Sequence, residues 1–121
     1  MSEVYNKRLL EVLNLVAATA DVQISAFPDF VHIPDEVASE IADVIEYAPE
    51  ELENKEKSII KVLTQIDRIF LKYAGQKDFW TMKSMRNCSV WNDIRLLARE
   101  ELKSLGISES VPNLFWLQYV Q

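Results

Sequence analysis

Lys57-Ser58-Ile59-Ile60-Lys61-Val62-Leu63-Thr64-Gln65-Ile66-Asp67-Arg68-Ile69-Phe70-Leu71-Lys72-Tyr73-Ala74-Gly75 carries the clearest periodicity in the chain. Ile59, Ile60, Val62, Leu63, Ile66, Ile69, Phe70 and Tyr73 recur at three- and four-residue steps among charged positions. That spacing predicts one long amphipathic helix reaching about Ala74. Gly75 stands just past its end, where a left-handed residue closes a helix.

Working outward, Glu50–Glu56 reads as a charged connector or as the first turn of this helix. Before it, Pro34 opens another helix, where its missing N–H costs nothing. Asp35 and Glu36 suit that helix's positive end. Val37, Ile41, Val44 and Ala48 form its apolar stripe, with Ile45 beside it, and Pro49 stops it. Residues 3–20 read as a further amphipathic helix through Leu9, Val12, Leu13, Val16, Ala17 and Ala20. Residues 21–33 break the pattern, and Pro28 disfavours helix at Phe27. This stretch reads as irregular or as a short extended segment.

Beyond Gly75, Asp78 can cap a short helix holding Phe79-Trp80 and Met82–Met85. Ser89 can cap another over 90–105, with the stripe Val90, Ile94, Leu97, Ala98, Leu102 and Leu105. Gly106 ends it, and an apolar tail, Leu114–Val120, should dock on the core or on a partner. The expectation is an all-α fold, one compact domain (1–121) of about five to six helices. Composition agrees, since 121 residues with two Gly and four Pro make one ordinary, turn-poor domain.

Charge is divided along the chain. Residues 21–56 hold eleven acids against one base, a balance of −10, whereas residues 57–103 hold ten bases against five acids, +5. The acids Glu36, Glu40 and Asp43 share one helical column, and it continues toward Glu46, Glu50 and Glu51. Residues 35–54 contain no Lys or Arg, although solvated helices usually interleave opposite charges. Two readings stay open. The column is a docking face for a basic protein, or the basic helices of the second half neutralise it internally. Asp29 and His32 would edge such a face. Trp91 lies off the clean stripe of its helix, beside Asn92 and Asp93, and Trp is favoured at binding hot spots.

Catalytic chemistry finds little footing. The one His, His32, and the one Cys, Cys88, lack a nucleophile-and-base context. Gly75 and Gly106 are isolated and explained as helix stops, so no phosphate loop is present. Zinc-type Cys/His pairs, Glu-x-x-His motifs and calcium-loop spacing are all missing. The reading is no enzyme, no cofactor and no metal. A pI near 4.8 argues against direct nucleic-acid binding. The N-terminus lacks signal-peptide character and no apolar run spans a bilayer. A lone Cys fits a reducing cytoplasm.

Two stretches add a resemblance. Phe27-Pro28-Asp29-Phe30-Val31-His32-Ile33-Pro34-Asp35-Glu36-Val37-Ala38 is one. Trp91-Asn92-Asp93-Ile94-Arg95-Leu96-Leu97-Ala98-Arg99-Glu100-Glu101-Leu102 is the other, with Asp78-Phe79-Trp80-Thr81 ahead of it. Together they resemble small, acidic, helical immunity proteins of bacterial contact-dependent growth inhibition and polymorphic toxin systems. The resemblance implies tight binding to a cognate toxin domain, often a basic nuclease, and inhibition by blocking its active site. The expected partner-binding residues are Glu36, Glu40, Asp43, Glu46, Glu50, Glu51, Asp29, His32 and Trp91. The alternative is a self-associating helical structural or regulatory domain, with the apolar tail completing a second copy.

Overall fold

The computed structural model describes residues 2–118. Six α-helices follow one another: α1 (Ser2–Ala17), α2 (Ala20–Ser25), α3 (Ile33–Glu46), α4 (Asn54–Lys72), α5 (Met82–Asn87) and α6 (Ser89–Ser104). A 3-10 turn, Lys77–Phe79, lies between α4 and α5. The described residues contain no strand, so the fold is all-α, as the periodicities require. None of these helices is long and apolar enough to cross a membrane.

α1 is the central element and packs on α3, α4 and α6. Its stripe, Leu9, Val12, Leu13, Val16 and Ala17, is fully buried, and Leu15 is buried with it. α3 contributes Val37, Ile41 and Val44, and α4 contributes Ile59, Leu63, Ile66 and Phe70. These residues and the inward face of α6 form one continuous core.

The helix ends show where side chains do the work of the backbone. α1 stops at Ala17, three residues short of the sequence expectation. Thr19 caps α2 by accepting from the Val22 N–H at 3.3 Å. The wholly buried Gln23 amide donates to the Leu15 and Val16 carbonyls at 3.0 and 3.1 Å. Arg99 Nε donates to the Ala17 carbonyl at 2.8 Å. The orphan carbonyls at the end of α1 are thereby satisfied from outside the helix. Residues 20–25 are therefore helical, and the irregular stretch is confined to 26–32. An inward-facing glutamine had broken the apolar pattern there.

At the other end of the chain, Gly106 has φ +70° and the Ile107 N–H reaches back to the Leu102 carbonyl at 2.9 Å. That bond and the left-handed glycine close α6 in a Schellman turn. Cys88, not Ser89, occupies the N-cap of α6, and Thr81, not Asp78, caps α5.

Trp91 sits at the hub of an aromatic cluster. Its ring stacks on Phe79 with centroids 5.3 Å apart and meets Phe70 at 5.1 Å. Tyr73 stacks on the other ring partner, Phe79, at 4.5 Å. Trp91 Nε1 donates to the Phe79 carbonyl at 3.1 Å, so its polar atom is satisfied in the core.

Candidate interaction surface

Trp91 has 0 % exposure, which removes it from the surface and corrects its reading as an interface anchor. The buried face of α6 is Trp91, Ile94, Arg95, Ala98, Glu101 and Leu102. Counting Arg95 and Glu101 as polar rotates the apparent stripe and leaves Trp91 outside it. Arg95 is buried because it has work to do there. Its Nη1 donates to Gln23 Oε1 at 3.1 Å and its Nη2 to the Met85 carbonyl at 2.6 Å. Burial first, and the neighbouring Arg99 second, hold its pKa below the usual value.

The acidic column of α3 also resolves differently from its sequence reading. Glu40 follows Val37 by three residues and precedes Val44 by four, and both valines are wholly buried. Glu40 therefore lies on the inward stripe and is only 3 % exposed. Its Oε1 accepts from Trp116 Nε1 at 2.8 Å and from Arg8 Nη2 at 3.4 Å. Arg8 also pairs with Asp43 at 3.7 Å and lies 5.2 Å from the centroid of the Trp116 ring. Burial raises the Glu40 carboxyl above its ordinary range, opposed by Trp116 and Arg8, while Asp43 raises it further. Glu40 as it stands cannot meet a partner, because the C-terminal segment covers it.

The other acids stay outside. Glu46, Glu50 and Glu51 are exposed at the end of α3 and in the connector to α4, with Glu53 beyond them. Glu36 is half-buried. Among the described residues, none of these five forms an ion pair. No described Lys or Arg of α4 or α6 pairs with an acid of α3 either. The counter-charge for Glu40 and Asp43 comes from α1, through Arg8.

Asp29 and His32 are exposed at the opposite end of α3. His32 occupies the N-cap position without a capping hydrogen bond, and its ring bonds the Asp35 carboxylate. With a rise of about 1.5 Å per residue, α3 separates His32 from Glu46 by roughly 20 Å. They do not belong to one compact patch. Beside His32 lies a cleft of about 470 Å³ lined by Ile24, Ile33, Trp80, Met82 and Arg86 among others. No three described His, Cys, Asp or Glu side chains gather into a group that could hold a metal ion.

Two residues missed by the sequence reading matter here. Arg8 gave no signal, being one of two bases in a helix whose two acids balance them. Tyr47, the residue after Glu46, is 66 % exposed and so presents a large aromatic ring among the free carboxylates.

A scan against protein-family models finds no match for this chain. Neither a search of curated proteins nor one of solved structures finds a similar chain.

Proposed function

We propose that this protein works by binding another protein, and that the acidic end of α3 with its connector is the docking surface. One observation carries the reading. Glu46, Glu50, Glu51 and Glu53 are exposed, closely spaced in sequence, and without an ion pair among the described residues. Unrelieved like charge is tolerated at a cost and attracts an opposite surface, raising the encounter rate. Tyr47 beside these carboxylates supplies a rigid anchor on which a cationic side chain can stack. The partner class is a basic protein domain. The resemblance to immunity proteins makes it a bacterial toxin domain whose active site this chain blocks.

The test is in two steps. A basic toxin domain is captured from lysate of the source organism and identified by mass spectrometry. Its growth arrest is then measured with and without co-expression of this chain. Suppression of arrest, lost in the Glu46→Lys/Glu50→Lys double variant and weakened by salt, is the expected result. Arrest that this chain leaves unaltered, or binding indifferent to the double reversal, overturns the proposal. Self-association through the tail is the weaker reading. Leu114, Trp116 and Leu117 pack against the chain's own core.

A further inference from the structure

The C-terminal segment is attached in an unusual way. Every fully buried apolar residue among those described lies between Leu9 and Leu102. Residues 112–118 contribute only the partly buried Leu114, Trp116 and Leu117, while Phe115 is 40 % exposed. Within the segment the backbone closes one described bond, from the Leu117 N–H to the Leu114 carbonyl at 3.0 Å. Beside the apolar packing of Leu114, Trp116 and Leu117, its other anchors are charged side chains. Glu11 accepts the Asn113 N–H at 2.9 Å, Lys7 sits 5.6 Å from the Phe115 ring centroid, and Arg8 faces Trp116. Glu40 accepts the Trp116 indole N–H.

The latch is imperfectly satisfied. Arg8 Nε on the facing side of α1 is buried without a described hydrogen-bond partner. Beneath the segment lie the Glu40 carboxylate and the Arg8 guanidinium, with the half-exposed Asp43 beside them as Arg8's second partner. Tyr5 of α1 closes the same seam by donating to the Val44 carbonyl. Lifting residues 112–118 would leave every fully buried apolar residue in place and take Trp116 off Glu40, on the same helix as Asp43 and the free acids Glu36 and Glu46.

We propose that residues 112–118 form a releasable strap over Glu40 of α3, and that a basic partner segment takes the place of Trp116 on Glu40 when the strap lifts. This rests on the docking reading above and adds a switch to it. The strap is an intramolecular competitor: its indole N–H and the Arg8 guanidinium occupy the carboxylate that a partner's Arg would seek. Burial of Glu40 favours release, because an ionised carboxylate is better solvated uncovered.

Two measurements on the full-length chain test this. Hydrogen–deuterium exchange at neutral pH should show residues 112–118 opening far faster than α1 and α6. Trp116→Phe, which keeps an aromatic ring and removes the donor, should speed that opening further and leave α6 protection unchanged. Binding of a deca-arginine peptide should then tighten about tenfold in Trp116→Phe, because the open state is no longer rare. Leu117→Ser, which loosens the strap without touching Glu40, should tighten it in the same direction. Strap amides protected as strongly as the core would overturn the proposal. Equal, salt-sensitive peptide binding by all three chains would overturn the strap and leave the docking surface standing. Absence of peptide binding in all three would remove both.

Discussion

Glu40 shows how much one position can change meaning when a chain folds. In sequence it is one acid in a column of acids. In the structure it is a buried carboxylate receiving one indole N–H and one guanidinium N–H. Its pKa is raised above the ordinary 4.5, with burial the largest cause. The folded state therefore holds this proton more tightly than the unfolded chain does. Its stabilising contribution is complete below 4.5 and is lost as pH rises through the raised value. Glu40→Gln mimics the protonated form. Urea unfolding should find the variant and the parent alike at pH 4, and the variant more stable at pH 7. A parent more stable than Glu40→Gln at pH 7 would show that Arg8 and Trp116 outweigh burial.

Among the elements, the short helices depend most on their caps. α5 has six residues, too few to hold itself by propensity. Thr81 Oγ1 accepts the Ser84 N–H at 3.0 Å and donates to the Asp78 carbonyl at 3.2 Å. The helix so held places Met85, which is fully buried, and offers the Met85 carbonyl to Arg95. Thr81→Ala should cost about 1 kcal/mol in urea unfolding, and Thr81→Ser should recover most of it. The two glycines close the long helices α4 and α6 and are the described residues with positive φ. Their roles were legible in advance, because glycine after a periodic run has one common explanation. The boundaries at 17–25 were not legible. Gln23 looks like a surface residue until its amide is seen serving the carbonyls of α1.

For the molecule as a whole, Arg95 is the polar tie between distant parts of the chain. It joins Gln23 of α2 to the end of α5 from its place on α6, and Gln23 in turn seals α1. Arg95→Met keeps volume and removes the donors. It leaves Gln23 Oε1 and the Met85 carbonyl buried and unpaired, which should cost about 3 kcal/mol by thermal or urea unfolding. A cost under about 0.5 kcal/mol would show that these acceptors find other partners.

The all-α class, five of the six helices and most of the core followed from residue spacing alone. Period is a local property, and the stripes of α1, α3 and α4 write it plainly. The acidic surplus of residues 21–56 was equally plain. Which of those acids face outward was not. Trp91, Glu40, Arg95 and Gln23 all lie on inward faces that a polarity count assigns to solvent or to loop. Each is buried because a partner on another element of the chain satisfies its polar atoms: Phe79, Trp116, Met85 and Leu15. Such pairings span the packed helices, and spacing within one helix carries no information about them.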